Sequence, residues 1–284
     1  MREVEQDPTK DLYNEPNIQG LKLRDLRYAD DTALLSTTTE GLHQLIHSVK
    51  EHSENKGLFL NIKKTKIVNT DRCKRTSDLT VDGEKVECLV NFEYLGSKIE
   101  GNGKCSNEIK RRTAMAVGQL KKIEKIWKGQ DKQTNLKTIR ACIFPTAIYG
   151  CEGWTLTTAD EKKINAFEMK CYRRKLRIPW IAERKNAEIL KELKVGQDWL
   201  LNNIKARKLS YFGHLKKHDS LEKHILETRL EGKRRKGRPT RRWTEDIKEW
   251  LQVSPTEAGR EAQKREVFRR RVREATSTQT CQDE

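Results

Sequence analysis

Long apolar runs are missing from this sequence. No stretch of the 284 residues approaches the roughly 18 consecutive apolar residues that a membrane-spanning helix needs. The first thirty residues also lack the apolar core of a secretory signal peptide. Hydrophobic residues make up only 35% of the chain, although its length is ample for a core of one large or two ordinary domains. We therefore expect a protein that is neither secreted nor embedded in a membrane.

Paired cysteines are missing as well. The chain has no Cys-x-x-Cys motif, which argues against a zinc knuckle. An odd, dispersed set of cysteines is typical of reduced thiols, so we expect the nucleus, the cytoplasm or both as the compartment. The seven cysteines are Cys73, Cys88, Cys105, Cys142, Cys151, Cys171 and Cys281.

Acidic residues are scarce in the second part of the chain. Residues 1–100 carry 15 Lys and Arg against 18 Asp and Glu, a net charge of −3. Residues 101–284 carry 44 against 24, a net charge of +20. Such asymmetry indicates a polyanionic partner, and nucleic acid is the natural candidate because neutralised phosphates supply most non-specific affinity. Solvated helix faces also collect Lys and Arg, and the composition alone leaves both interpretations open.

Two adjacent aspartates mark the most informative stretch, residues 22–36 (KLRDLRYADDTALLS). Two apolar-rich runs, 21–26 and 32–35, flank the tetrad Tyr-Ala-Asp-Asp at 28–31, which predicts a β-hairpin with the acidic pair at its tip. Side chains alternate along a strand, but a tight turn breaks the alternation. Both carboxylates are therefore able to project toward one cleft.

Asp30 and Asp31 would repel each other unless a cation lies between them. Mg²⁺ takes oxygen ligands and is usually held by one or two carboxylates together with substrate phosphates. Phosphoryl transfer uses such sites, because two ions about 3.5–4 Å apart stabilise the attacking and the leaving oxygen. Aspartate pairs are also common in ordinary turns, where they bond their own backbone. The pair alone does not decide between a metal site and a turn.

Helical patterns follow the hairpin. A capping pattern at 37–40 precedes apolar residues at helical spacing, and the helix predicted over 37–56 closes on Gly57. Asp82-Gly83 predicts a two-residue hairpin between strands at 79–81 and 85–90. The pattern is helical from Ser106 onward, with helices over 136–149, where Pro145 interrupts, over 158–178, opened by Thr158 and Glu161, and over 202–217.

A basic strip lies near the carboxyl end of the chain. Residues 233–242 (KRRKGRPTRR) contain seven basic residues in ten, and Gly237 and Pro239 disfavour a helix. The strip is predicted to bind nucleic acid as an electrostatic tether, and its Gly-Arg-Pro core is similar to arms that enter a minor groove. A nuclear-localisation signal fits the composition equally well. The predicted nucleic-acid-binding residues are Lys233, Arg234, Arg235, Lys236, Arg238, Arg241 and Arg242.

Several motifs together resemble the reverse transcriptases of non-LTR (LINE-type) retrotransposons, most closely those of RTE-like or jockey-like elements. The resemblance covers nearly the whole chain, in the order such elements have. The motifs are YADD at 28–31, GLFLNIKKTKIV at 57–68, FEYLGSKI at 92–99, YGCEGW at 149–154, AFEMKCYRRKLRI at 166–178, YFGHLKKH at 211–218 and EGKRRKGRPTRRW at 231–243.

This resemblance implies roles for particular residues. Asp30 and Asp31 would be catalytic carboxylates that bind two Mg²⁺ ions. Tyr28, Lys64 and Lys66 would lie beside the triphosphate of the incoming dNTP, where a lysine neutralises charge or donates a proton. The turn Tyr94-Leu95-Gly96 would grip the primer terminus. The partners implied are an RNA template and a DNA primer or target, with no further small-molecule cofactor.

The implied fold class is α+β. Residues 1–100 would form part of a polymerase palm, an antiparallel sheet with a packed helix that runs from the YADD hairpin to the primer grip. Residues 101–155 would form thumb-like helices, and residues 156–284 a basic helical carboxyl-terminal region.

One catalytic carboxylate of the family has no counterpart here. The palm of the family uses a third aspartate on an earlier strand, together with fingers, and the polar residues before Lys22 supply neither. We therefore interpret the chain as the carboxyl-terminal part of a polymerase that is inactive alone. Two alternatives are a non-enzymatic RNA- or DNA-binding protein derived from the element, and a relic without function.

Overall fold

In a computed structural model, residues 13–18, 20–70, 79–124, 132–179, 181–228 and 240–277 of the chain are described. They form two compact units. The first unit comprises the described residues of Met1–Phe92, Glu100–Gly103 and Ser220–Lys236. The second comprises those of Glu93–Ile99, Lys104–Asp219 and Gly237–Glu284. Among these residues, no helix is both long and apolar enough to cross a bilayer.

Short strands in two-stranded sheets dominate the first unit. The pairs β1–β2, β3–β4 and β6–β7 are antiparallel, whereas β5 and β8 are parallel. A further pair, β9 and β10, forms a hairpin whose tip belongs to the second unit. The strands are β1 (Asn17–Ile18), β2 (Leu21–Lys22), β3 (Asp25–Tyr28), β4 (Asp31–Leu34), β5 (Lys66–Val68), β6 (Thr80–Val81), β7 (Glu84–Lys85), β8 (Glu87–Leu89), β9 (Asn91–Tyr94) and β10 (Ser97–Glu100).

Helix α1 (Thr39–Glu54) provides one wall of the core of this unit. Thr38 caps the helix, and its hydroxyl accepts a hydrogen bond from the amide of Gly41 at 3.1 Å. Ile46 on the inner face packs with Ile67 of β5, and Leu34 of β4 borders the same cluster. The helix therefore ties the strand that follows the acidic pair to the strand that follows Lys64.

Helices make up most of the second unit. They include α2 (Ser106–Ile123), α3 (Lys132–Thr138), α4 (Phe144–Ala147), α5 (Thr158–Lys175), α6 (Asn186–Leu193) and α7 (Trp199–Lys217), followed after α8 (Leu221–Glu227) of the first unit by α9 (Trp243–Leu251), α10 (Pro255–Ala262) and α11 (Arg265–Thr276). A π-helical turn at Ile139–Ile143 joins α3 to α4, whose second residue is Pro145, and a 3₁₀ turn at Cys151–Gly153 follows α4.

A single hydrophobic core contains residues from both sides of the domain boundary predicted near residue 155. A continuous buried cluster runs from Ile109 of α2 to Ile204 of α7, and α5 lies within it. The rings of Phe144 and Tyr172 meet edge to face with centroids 6.1 Å apart, so that α4 and α5 share this core. The structure thus places the described parts of 104–219 and 237–277 in a single unit, without a separation between a 101–155 and a 156–284 region.

Two predicted elements differ in detail from the structure. The capping box of α5 is formed by Thr157 and Asp160, one residue before the predicted Thr158 and Glu161, because Thr157 is extended and each side chain meets the amide of the other residue. The strand predicted over 85–90 is interrupted at Val86, whose side chain turns into the core. Its second half, β8, pairs with β5 in parallel, which the local pattern does not reveal.

Candidate functional site

The aspartate pair lies at the tip of an antiparallel hairpin. Tyr28 of β3 faces Asp31 of β4 as the last pair of the ladder, so that Ala29 and Asp30 form the turn. Ala29 takes a left-handed conformation with φ of +50°, which a two-residue hairpin turn requires. Asp30 and Asp31 are exposed, and Tyr28 is 65% exposed. The tip therefore presents two adjacent carboxylates and an aromatic ring to solvent.

The base of this hairpin is held firmly. The amide of Leu35 donates to the carbonyl of Arg24 at 2.8 Å, which extends the pairing beyond the strands. The hydroxyl of Ser36 donates to the carbonyl of Tyr13 at 2.8 Å. That carbonyl lies so close to Gly41 that a Cβ there would be 2.2 Å from it. The chain before β1, the end of β4 and the start of α1 are thus packed together, and the exposed tip stands on a fixed support.

The donor set at the tip suits a divalent ion that carries other ligands. Ionised carboxylates are acceptors only, and Mg²⁺ is commonly held by one or two of them with substrate phosphates and water. Over the described ranges, no group of three or more His, Cys, Asp or Glu side chains comes together to hold a metal. Asp30 and Asp31 therefore offer two protein ligands, and the remaining positions on an ion would fall to other groups.

The two predicted triphosphate lysines differ in their surroundings. Lys64 is exposed, its amide bonded to the side chain of Asn61 at 3.1 Å, and its ammonium has no carboxylate partner within the part of the chain that is described. Lys66 instead donates from its ammonium to Glu87 at 2.7 Å, across the parallel β5–β8 pair. Lys64 is thus available to an anion, whereas Lys66 would have to exchange a carboxylate for one.

The predicted grip turn is bound on two sides within the second unit. Leu95 and Gly96 both have positive φ, +48° and +76°, and connect β9 to β10. The carbonyl of Gly96 accepts hydrogen bonds from Arg111, at 2.6 Å, and from Arg112. The hydroxyl of Tyr149 donates to the carbonyl of Leu95 at 3.3 Å. Both turn carbonyls are therefore occupied by side chains of the protein.

A buried carboxylate organises this arrangement. Glu108, 2% exposed, accepts from the Nε atoms of Arg111 and Arg112, each at 2.8 Å, and from the amide of Lys98 at 3.1 Å. Burial alone would raise the pKa of Glu108, but these hydrogen bonds together lower it below its usual value. Sequence reasoning missed this cluster, although the i, i+3 and i, i+4 spacing of one Glu and two Arg on α2 was a usable signal.

An open cavity lies beside the turn. Its volume is about 630 Å³, within the range of small-ligand sites, and it is lined by Tyr94, Leu95, Pro145, Tyr149, Glu152 and Arg207, among others. Tyr149 is half exposed, and the guanidinium of Arg112 lies over its ring, 4.3 Å from the centroid. The guanidinium of Arg207 is 3.8 Å from Glu152 and nearly half exposed. The cavity thus combines an aromatic ring with an accessible cation.

The predicted basic strip lies mostly outside the described residues. This holds for Lys233, Arg234, Arg235, Lys236 and Arg238. Arg241 donates to the buried Asp246 at 2.8 Å and also to Glu249, so its guanidinium is committed to α9. Arg242, at the amino end of α9, is exposed. Of the two described residues of the strip, Arg242 is thus the one open to a phosphate.

Behind Arg241 lies a buried ion pair that sequence reasoning did not find. Lys208 of α7 and Asp246 of α9 are both fully buried and bonded to each other. The ammonium of Lys208 also donates to the carbonyl of Trp154 at 2.6 Å and lies 4.7 Å from the ring centroid of Trp243. Burial lowers the pKa of Lys208. In the sequence, Lys208 is one of several basic residues on the same helix, and nothing marks it as the buried one.

Comparison with known proteins gives one informative similarity. The chain is 24% identical over 243 residues to a protein of Caenorhabditis elegans whose name describes it as uncharacterized and transposon-derived. The similarity covers 81% of this chain and 86% of that protein. No protein-family model matches the chain. No solved structure matches it either.

Proposed function

We propose that this chain belongs to a transposable element and carries the catalytic hairpin and helical carboxyl-terminal part of a non-LTR reverse transcriptase, an RNA-directed DNA polymerase. The similarity to a protein named as transposon-derived supports the coarser part of this proposal. The finer part rests on the YADD hairpin and on the ordered series of motifs around it. Asp30 and Asp31 would be two of the three catalytic carboxylates of such an enzyme. Polymerisation would therefore also require the strand that carries the third aspartate, together with the fingers.

One observation carries the proposal. Asp30 and Asp31 lie at an exposed turn of an antiparallel hairpin whose base is fixed by α1 and by the Tyr13–Ser36 contact. Aspartate pairs also occur in ordinary turns, but here both carboxylates and the ring of Tyr28 project into solvent from a fixed support. Bound Mg²⁺ would neutralise the charge that develops on the reacting phosphate oxygens. Asp30 and Asp31 would hold the ion, and the free ammonium of Lys64 would meet the triphosphate.

In this proposal, the Leu95–Gly96 turn positions the primer strand. Because Arg111, Arg112 and Tyr149 hold both turn carbonyls, the turn keeps its shape without a ligand. The neighbouring cavity offers Tyr149 for stacking and Arg207 for a phosphate. A preorganised turn of this kind loses little conformational freedom on binding, which favours precise placement of a strand end.

Binding to the metal is tested directly on the chain. In an NMR titration, Mn²⁺ should broaden the backbone amide signals of residues 28–31 before others, because a paramagnetic ion acts over short distances. Asp30→Asn and Asp31→Asn should each abolish that selective broadening. Asp25→Asn, on the same hairpin but paired with Arg27 at 3.2 Å, should leave it unchanged. Broadening that is uniform, or that survives both tip variants, contradicts the metal assignment.

Polymerisation is tested in a restored enzyme. The chain is joined to the fingers and first palm segment of a non-LTR reverse transcriptase, and incorporation of dNTP on an RNA template is measured. We expect no incorporation by the chain alone, clear incorporation by the restored enzyme, and a loss of at least about 100-fold with Asp30→Asn, since removal of transition-state charge stabilisation commonly costs 10²–10³ in rate. Incorporation that is equal after Asp30→Asn shows that this carboxylate is not catalytic.

A second candidate function is non-enzymatic binding of RNA or DNA by a protein derived from the element. The net charge of +20 on residues 101–284 favours it. A binding titration in increasing salt separates it from a relic without function, because neutralised phosphates give a log–log slope of about −0.9 per contact. A slope near zero removes the polyanion argument.

A further inference from the structure

Helix α11 is fixed in its rotation by two buried residues. Phe268 and Val272 face inward, and the ring of Phe268 lies 6.3 Å from that of Phe212 on α7. Phe268 also fills the space above Gly213, where an added Cβ would be 2.5 Å from its ring. The face of α11 that points away from α7 is therefore determined by packing.

Beside the buried stripe, one side of α11 carries a row of arginines. Arg265, Arg269 and Arg273 follow at intervals of four residues, and Arg270 lies beside them; all four are exposed. Arg269 makes an exposed contact to Glu266 at 3.2 Å. Arg265, Arg270 and Arg273 have no carboxylate partner among the residues described. We call Arg265, Arg269 and Arg273 the arginine row.

Arg271 of the same helix behaves differently. It donates to the carbonyl of Leu251 at 3.1 Å and lies 3.9 Å from Glu261, so it connects α11 to α9 and α10. A structural arginine on this helix thus has its partners in place. Within the part of the chain that is described, the only ion pair of the arginine row is the exposed contact of Arg269 with Glu266.

The row also disfavours the helix that carries it. Like charges four residues apart on a helix repel each other. Arg265 adds positive charge at the amino end of α11, where the helix dipole favours negative charge. Local choices that work against the fold are expected mainly at functional positions. An external anion bound to the row would offset both of these unfavourable effects.

We propose that the arginine row binds the phosphodiester backbone of a nucleic-acid duplex. Successive arginines are about 6 Å apart along the axis, from the helical rise, and the row spans about 12 Å. A duplex presents one phosphate per strand about every 3.4 Å of its axis, so several phosphates fall within reach. Guanidinium groups suit phosphate because their donors form paired hydrogen bonds. The inference rests on the proposed function only for the class of partner.

The test compares two triple variants of the full chain. The first is Arg265→Gln with Arg269→Gln and Arg273→Gln. The control is Lys185→Gln with Lys191→Gln and Lys194→Gln, which removes the same charge from exposed positions on and beside α6. Fluorescence anisotropy measures binding to duplex DNA, an RNA–DNA hybrid and single-stranded RNA between 50 and 300 mM NaCl, chosen as roughly the range in which phosphate contacts are lost.

We expect the row variant to weaken duplex binding by more than about tenfold at physiological salt and to reduce the log–log slope by about 2–3, or 0.9 per lost phosphate. The lysine control should change both much less. A lysine version of the row, with all three arginines changed to Lys, should keep most of the slope and so separates lost charge from lost folding. Circular dichroism checks that each variant keeps its helices.

Three results overturn the inference. Equal losses in the row and control variants show a general effect of net charge. An unchanged slope in the row variant shows that the row makes no phosphate contact. A preference for single-stranded RNA over both duplexes shows a different ligand. The metal titration tests the catalytic proposal through Asp30 and Asp31, whereas the duplex titration tests the arginine row. The two proposals therefore succeed or fail separately.

Discussion

Lys208 shows how much one buried cation contributes to the arrangement of the second unit. Its ammonium meets Asp246 and the carbonyl of Trp154, which join α7 to α9 and to the segment before α5. The carboxylate of Asp246 in turn accepts from the amide of Leu156 at 3.1 Å and from Arg241. Every polar atom of the pair therefore has a partner, as a buried charge requires.

Removal of one member of this pair should lower the free energy of unfolding by a large part of its total. We expect Lys208→Met to lower the free energy of unfolding by about 3 kcal/mol, the low end of the range for breaking a buried pair, because Asp246 loses its buried cation but keeps Arg241. The double variant Lys208→Met with Asp246→Leu should lose less than the sum of the single variants. Urea unfolding followed by tryptophan fluorescence measures this, with the exposed Lys162→Met as control. Additive losses would show that the two residues do not act as a pair.

Glu108 should make stability depend on acid pH. Its pKa in the folded state lies below the ordinary 4.5, so the carboxylate stabilises the fold above about pH 4.5 and that contribution is lost as the pH falls through the folded-state pKa. Glu108→Gln should therefore lower stability at pH 7 by about 1–3 kcal/mol, since arginine donors lose their charged acceptor. It should also flatten the decline in stability below pH 4.5.

Urea unfolding at several pH values between about 3 and 7 measures how the free energy of unfolding depends on pH and so checks this prediction. Glu183→Gln, at an exposed position, is the matched control and should keep the wild-type profile. A profile of Glu108→Gln that remains parallel to the wild type would assign the acid sensitivity to other carboxylates. Asp160, whose pKa is also lowered, is the next candidate.

At the scale of elements, two hairpin turns of the same kind form a natural pair for comparison. Asp82-Gly83 joins β6 to β7, and Leu95-Gly96 joins β9 to β10, with positive φ at all four residues. Gly83 has nothing near the position of a Cβ, whereas Gly96 has Arg112 and Tyr149 at 3.7 Å. The backbone strain of an added side chain is therefore similar, and the surroundings differ.

Gly83→Ala and Gly96→Ala should each destabilise the chain by about 1–2 kcal/mol, the cost of a left-handed conformation for a residue with a Cβ. In the restored enzyme, only Gly96→Ala should impair extension of a primer. The readouts are urea unfolding and the rise in primer KM. Equal effects of both variants on extension would remove the reason to assign a grip to the Leu95–Gly96 turn.

Gly41 provides a contrasting prediction in the first unit. A Cβ there would lie 2.2 Å from the carbonyl oxygen of Tyr13, so Gly41→Ala must displace the chain before β1 or the start of α1. We expect a loss of more than about 2 kcal/mol, since overpacking costs typically 1–3. Gly118→Ala, on an exposed position of α2 with nothing within 4 Å, should instead stabilise by about 0.5–1 kcal/mol.

Local signals predicted these elements well. The Asp82-Gly83 hairpin, the YADD hairpin and the helix after it all follow from turn chemistry and apolar spacing, and the structure has them. The parallel pairing of β5 with β8 could not be foreseen, because two three-residue strands carry no information about their partner. The buried Lys208 was missed for the same reason: its partner is 38 residues away.

At the scale of the whole molecule, the two units differ in how they are stabilised. The second has a continuous core that α2, α5 and α7 enclose, whereas the first relies on a small cluster and on two-stranded sheets. Two-stranded sheets are marginal unless another surface covers them. The first unit also exposes Leu58, Phe59 and Val90 by 65%, 81% and 79%. The sequence did predict a strand-rich first part and a helical second part.

Hydrogen exchange should therefore separate the units. We expect amides of β3, β4 and β6 to exchange at least about 100-fold faster than those in the buried turns of α2, α5 and α7, because opening free energies follow local burial. Mass spectrometry of peptides from a brief labelling pulse measures this. Similar protection in both units would indicate that the chain unfolds as one cooperative body.

The buried state of two cysteines has a practical consequence for such work. The thiols of Cys151 and Cys171 have a pKa raised to about 12 by burial, so they stay protonated and poorly reactive near neutral pH. Cys88 in the first unit and Cys142 in the second are exposed. Of the five described cysteines, a maleimide dye should reach these two exposed ones first, which gives each unit a native attachment point for a fluorescent reporter of its own unfolding.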